Sequence, residues 1–342
     1  MRKIAILNQK GGVGKTTTVV NVSAALALKG QRVLVMDLDP QAHLTIHLGA
    51  DRDPEAIGVY EVLTGNASIA DAIRPVRENL SVLGASIDLV GAEAELINEV
   101  GRETILAKAV ETVHDRFDYL IIDCPPSLGL LALNALAAVN EVIIPIQPHF
   151  LALQGFSRLL QTVTLVQSRI NPSLCVSAIL MCMFDSRTSL SNEVREDIKH
   201  FLSSARESNV PWAQAQVIPV HIRQNIKLAE APSHGQTIFE YEPQCNGAAD
   251  YEAVAAFLNG DITIDPTPVP VVEDTVDTPP ENTSDTAVSE TIESTLENVS
   301  DNCPQEQSFE PTLASDTAES SEPDDHVIPN EAVTDNSTAS GA

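Results

Sequence analysis

The stretch that decides the fold is Ile4-Ala5-Ile6-Leu7-Asn8-Gln9-Lys10-Gly11-Gly12-Val13-Gly14-Lys15-Thr16-Thr17-Thr18. Its apolar start, Ile4 to Leu7, reads as a buried strand. A glycine-rich loop follows, and Thr17 to Leu28 reads as a helix rich in Ala, Val and Leu, closed by Gly30. Strand, glycine loop and helix in that order form a phosphate cradle. Glycines let the backbone come close to a ligand, and successive N–H groups converge on anionic oxygens. The helix N-terminus adds the positive end of its dipole. In such a cradle Lys15 reaches the β- and γ-phosphates, and the Thr16 hydroxyl serves Mg²⁺.

The loop departs from the common pattern in one respect. Gln9 stands where a glycine is usual, and a second lysine, Lys10, follows it. A lysine there is costly unless an anion meets it. Lys10-Gly11-Gly12-Val13-Gly14-Lys15-Thr16-Thr17 resembles the deviant Walker A motif of the ParA/MinD ATPases. The resemblance implies ATP and Mg²⁺ as cofactors, with Gly11, Gly12, Val13, Gly14, Lys15, Thr16 and Thr17 around the nucleotide. It also implies a homodimer in which Lys10 crosses to the nucleotide of the opposite subunit.

Outward from the cradle, Arg32 to Leu38 reads as a second buried strand ending in Asp37-Leu38-Asp39-Pro40-Gln41. Ligands of open α/β sheets sit at carboxyl ends of strands, so Asp37 and Asp39 can serve Mg²⁺ and water. By resemblance Asp39 matches the switch I aspartate of the family. Tyr119-Leu120-Ile121-Ile122-Asp123-Cys124-Pro125-Pro126 reads as a strand ending in an aspartate that orders the metal's water shell or holds Thr16. It resembles the family's switch II. Lys10, Lys15, Asp39 and Asp123 are thus the expected catalytic set, and Thr16, Asp37 and Asp123 the expected metal set.

Between these landmarks, His43–Leu48, the segment around Tyr60 to Leu63, Ile69–Ile73, Glu93–Val100 and Glu103–His114 read as helices, and Leu80–Leu83 as a strand. His43 and His47 are four apart, but no further ligands stand nearby, so they read as surface or partly buried residues. Cys124 reads as a packing residue. The five cysteines have no metal spacing, which fits a reducing setting. No signal peptide and no membrane-length apolar run is visible.

Further along, Leu128–Ala138 reads as a helix, Val142–Ile146 as a strand, Leu151–Ser168 as a long helix and Cys175–Phe184 as a strand. The exit through Asp185 and the strand end at Pro219 are the base-side contacts implied by resemblance. Asn192–Phe201 reads as a helix with Arg195 and Lys199 on one face. The segment Ile222 to Gly235 resembles the Soj-type branch, and the resemblance implies non-specific DNA contact by Arg195, Lys199, Arg223 and Lys227. Asp250–Leu258 reads as the closing helix.

Net charge is -28, but it is unevenly spread. Residues 261–342 hold 20 Asp and Glu and no Lys or Arg, leaving the body at about -8. That stretch, rich in Pro, Thr and Ser, reads as a disordered acidic tail. Residues 1–260 read as one α/β domain: a three-layer P-loop NTPase with a mostly parallel twisted sheet flanked by helices. The resemblance implies a dimerising ATPase switch, cytoplasmic and nucleoid-associated, that partitions chromosome or plasmid DNA with a ParB-like partner. The chain opens on the P-loop strand, so the N-terminal DNA-binding extension of longer plasmid relatives is not expected. Alternatives are an orphan that positions a protein cargo, and a MinD-like membrane-associated division-site regulator; the missing basic amphipathic tail speaks against the latter. A metal-cluster ATPase on the same scaffold would need cluster cysteines, which are not evident.

Overall fold

A computed structural model describes residues 1–51, 56–149 and 152–261. Its strands are β1 (Arg2–Ile6), β2 (Val33–Asp37), β3 (Arg74–Arg77), β4 (Leu80–Leu83), β5 (Tyr119–Asp123), β6 (Glu141–Ile146), β7 (Cys175–Phe184), β8 (Gln216–Val217) and β9 (Ile222–Arg223). They form a nine-stranded sheet in the order β3-β4-β2-β5-β1-β6-β7-β8, with β9 also on β7. Every pairing is parallel except β3 with β4.

The central strands read as unbroken apolar runs because both faces are covered. Side chains alternate across the sheet. Ala5, Leu34, Met36, Leu120 and Ile122 face one apolar layer; Ile4, Ile6, Val33, Val35 and Ile121 face the other. Leu106, Leu131, Ala135, Leu159 and Val163, from helices Ile105–Glu111, Leu130–Ala138 and Ala152–Arg169, close the first layer. Val19, Val22, Leu26, Val254 and Leu258, from helices Lys15–Leu28 and Asn246–Asn259, close the second. The result is the expected three-layer α/β architecture.

Several boundaries moved. The first helix starts at Lys15, two residues early, because Gly14 in the left-handed region takes the N-cap place. Instead of Glu93–Val100, a helix runs Leu89–Glu95 and tightens into a 3₁₀ turn at Leu96–Asn98. Leu89, Ala92 and Leu96 form its buried stripe. The helix expected over Glu103–His114 is regular only over Ile105–Glu111. Asn259 ends the last helix, with Gly260 at φ 81 beyond it. The expected acidic tail falls outside the described residues from 262 onward.

Candidate nucleotide-binding site

The loop after β1 is shaped by two glycines with positive φ, Gly12 (74°) and Gly14 (93°). A side chain would be strained at either position. The loop is also tied down. Asn8 Nδ2 donates to the Pro145 carbonyl at 2.7 Å, and Asn8 Oδ1 accepts from the Lys10 amide at 2.9 Å. Asn8 therefore anchors the cradle to the carboxyl end of β6, a role the motif did not reveal.

The two lysines differ sharply. Lys15 is 8% exposed, and its ammonium reaches back to the Lys10 carbonyl at 3.5 Å. Lys10 is exposed, and its ammonium meets His149 Nε2 on the loop after β6. Desolvation, with the Lys10 charge adding to it, lowers the His149 pKa.

At the carboxyl ends of β2 and β5, Asp37 and Asp123 sit side by side in register, both buried. Burial pushes Asp37 up to about 6, against the hydrogen bonds that favour its charge. Those bonds come from the Thr45 amide (2.9 Å), the Thr45 hydroxyl (2.8 Å) and the Asp39 amide (3.2 Å). Burial and the neighbouring Asp37 charge push Asp123 well up. Asp123 Oδ2 accepts from Thr16 Oγ1 at 2.6 Å, while its Oδ1 is buried with no partner. Two desolvated carboxylates with one orphaned oxygen, next to a hydroxyl and a lysine, suit a divalent cation. Among the described residues no three His, Cys, Asp or Glu cluster as a metal cage. That sparse set fits Mg²⁺, which keeps waters and leans on substrate phosphates. Asp39 is half-buried one step further out, its Oδ1 accepting from the Gln41 amide at 3.0 Å.

A cavity of about 460 Å³ opens beside Gly14 and Thr17. Cys182, Met183, Ile222, Asn225, Ile226 and Tyr251 are among its walls, and neither Asp185 nor Pro219 is. Asp185 instead pairs with Arg187 at 2.8 Å, which lowers its pKa to about 2, and Pro219 is exposed. Of these walls, sequence reasoning reached only Met183, in the segment that exits through Asp185. Met183 carries the one local oddity, a positive φ of 52° at a residue with a side chain.

The four expected DNA-contacting residues are all ion-paired. Arg195 and Lys199 share Glu196 at 3.2 and 3.0 Å; Lys227 meets Glu230 at 2.9 Å. Arg223 grips the nearly buried Asp250 at 2.6 Å. The histidine reading needs correction for His47. It is 2% exposed, its Nε2 has no partner, and desolvation takes its pKa down to about 4. His43 is exposed as expected, and Cys124 is fully buried.

With this geometry in hand, the comparisons with known proteins are direct. A family model described as an AAA domain matches residues 1–176. The chain is 45% identical over 249 residues to the sporulation initiation inhibitor protein Soj of Bacillus subtilis, covering 72% of this chain and 94% of that one. It is 44% identical over 256 residues to the chromosome-partitioning ATPase Soj of Treponema pallidum, covering 74% and 95%. Among solved structures, a cobyrinic acid a,c-diamide synthase from Mycobacterium smegmatis with bound ADP and magnesium shares 39% identity at a TM-score of 0.63, covering 76% of this chain and 94% of that one. The cell division ATPase MinD of Pyrococcus furiosus shares 25% at 0.61, covering 76% and 99%. Identity of this extent, over nearly the whole length of the two Soj relatives, means that the chain belongs to the Soj/ParA family of ATPases.

Proposed function

We propose that the chain is an Mg²⁺- and ATP-dependent dimerising switch that binds DNA without sequence preference and partitions chromosome or plasmid DNA with a ParB-like partner. The observation that carries this reading is Lys10: an exposed lysine of the phosphate-cradle loop whose ammonium meets His149 and not the Lys10 carbonyl and cradle that Lys15 serves. A flexible cation so placed can serve a triphosphate held by a second copy. The Soj relatives, at higher identity than the synthase, favour partition over a metabolic reaction.

In this mechanism the amides of residues 11–17 and the Lys15 ammonium hold the phosphates and offset the charge that grows during phosphoryl transfer. A bound Mg²⁺ would supply positive charge against the phosphates. Thr16 and Asp123 would hold it, with Asp37 behind them at the neighbouring strand end. Asp39 positions and polarises the attacking water. Asp123 passes the nucleotide state to the turn at Pro125 and Pro126, whose contacts relax after hydrolysis so that the dimer opens. The walls around Met183 and Ile222 take the base side. DNA phosphates would replace Glu196 and Glu230 as partners of Lys199 and Lys227. Among the described residues no helix is long and apolar enough to cross a membrane.

Light scattering with ATP tests the reading. Wild type should dimerise. Lys10→Ala should bind ATP and stay monomeric; Asp39→Ala should bind ATP, stop hydrolysing and remain dimeric. A Lys10→Ala protein that dimerises like wild type would overturn the trans role of this lysine. DNA binding should need ATP and weaken steeply with salt.

A further inference from the structure

The loop that carries Asp39 does not hold itself in place. Between Asp39 and the short helix His43–His47 the chain turns through Ala42, whose φ of 53° is left-handed at a residue with a side chain. Within the turn only one bond closes back, from the Ala42 amide to the Asp39 carbonyl at 2.9 Å. Backbone in so sparsely populated a conformation persists where its surroundings over-determine it.

The hold comes from Thr45. Asp37 is fully buried, and a buried carboxylate needs donors. Three reach it, and two of them belong to Thr45: its amide at 2.9 Å and its hydroxyl at 2.8 Å, both on Oδ2. The last torsion of an aspartate has no sharp minimum, so the plane of the carboxylate is set by whatever grips it. With Oδ2 gripped twice, Oδ1 is left to accept from the Asp39 amide at 3.2 Å. Asp37 therefore stands between Thr45 and the backbone of Asp39.

The direction of the Thr45 hydroxyl is itself determined. An amide N–H can only donate, and that of Ala85 does so to Thr45 Oγ1 at 3.0 Å. This occupies a lone pair on the oxygen and leaves its hydrogen for Asp37. Thr45 is also pinned from behind: it is 3% exposed, and a Cβ on Gly84 would come within 3.0 Å of Thr45 Cγ2 and 3.3 Å of Oγ1. The exit of β4 thus packs directly on this side chain. Serine could keep both hydroxyl contacts; valine, of the same shape, keeps neither.

We propose that Thr45 is a positioning residue for hydrolysis: acting through Asp37, it fixes the backbone of Asp39 and so the place from which the Asp39 carboxylate meets the attacking water. This rests on the role given to Asp39 above.

Hydrogen exchange and hydrolysis kinetics on the full chain test it together. In Thr45→Val, exchange at the Asp39 amide should quicken about tenfold or more, and kcat should fall about tenfold or more. ATP affinity, measured by calorimetry, should stay within about twofold of wild type, because the phosphate cradle is untouched. Thr45→Ser should bring exchange and kcat back to within about threefold of wild type. Where valine leaves the chain unfolded, Thr45→Ala serves the same comparison. Unchanged exchange at Asp39 in a folded variant lacking the hydroxyl overturns the path from Thr45 to Asp39. Loss of ATP affinity in step with kcat, or a serine variant as impaired as valine, means that Thr45 only supports the fold and overturns the proposal. An Asp39→Ala chain that hydrolyses ATP like wild type overturns the reading of Asp39 and the kinetic half of the proposal with it, while the exchange result still decides the contact.

Discussion

Two charged regions of this molecule are built on opposite terms. At the carboxyl ends of β2 and β5, Asp37 and Asp123 are buried side by side, and one oxygen of Asp123 has no partner. By contrast, Arg195, Lys199, Arg223 and Lys227 stay partly or largely in water, each with a carboxylate in contact. The first region carries a desolvation cost in the free protein that a cation relieves. The second is already satisfied, so any phosphate must displace a partner. The difference separates a site with an unmet charge from a surface whose charges are already met.

The largest expected break in that contrast is Lys15→Ala. It leaves the carboxylates without their nearest cation and strips the cradle of its charge. Nucleotide affinity should fall about a hundredfold or more, measured by calorimetry. Next comes acid. His47 is buried uncharged, with its pKa taken from 6.5 to about 4. A depressed folded value means that the unfolded chain binds the proton first. Stability is therefore full above about pH 6.5 and drains away toward pH 4, by about 3 kcal/mol in all. Urea titrations across that window should show the loss, and His47→Gln should flatten it.

Arg223→Ala should cost about 2 kcal/mol, because it leaves the carboxylate of Asp250 buried with only the residue 223 amide as a donor. Lys199→Ala, whose partner Glu196 is exposed, should cost under about 1 kcal/mol while still reducing the salt slope of DNA binding. Asp123→Asn should act in the opposite direction. By removing a desolvated charge it should stabilise the nucleotide-free protein by about 1 kcal/mol, and added Mg²⁺ should no longer shift its melting temperature. A destabilised Asp123→Asn protein would mean that the carboxylate pair is not under the tension described.

The legible parts of the chain were those where one local rule spoke alone. β2 and β5 are apolar runs that end on aspartate, so the strand and the candidate site residue, Asp37 or Asp123, could be read together. β3 could not be read that way: Arg74-Pro75-Val76-Arg77 is polar, holds a proline, and forms an edge strand only by pairing with Leu80–Leu83. The two-residue strand β9 is too short to leave a pattern, whereas β8 was visible only as the strand end before Pro219. His47 was misread because a five-residue helix has no periodicity to speak of; its burial comes from packing against distant residues near Arg77 and Glu240. Most of the walls of the cavity beside Gly14 were missed for a similar reason. Tyr251 enters the cavity from the last helix, held by a hydroxyl contact to Thr18 across 233 positions of sequence. The Asp37–Asp123 pairing depends on strand order, which spacing along one chain does not encode.

Arg2 opens β1 by gripping Glu141 at 2.8 Å and the Leu258 carbonyl, while Tyr119 meets Asn259 at 3.2 Å. Residue 1 and the end of the last helix are therefore neighbours, on the rim that the cradle does not occupy. A five-residue parallel strand spans roughly 17 Å. A fluorophore on residue 1 would stand at least about that distance from the cradle, so it could report on the proposed dimer without touching the nucleotide site.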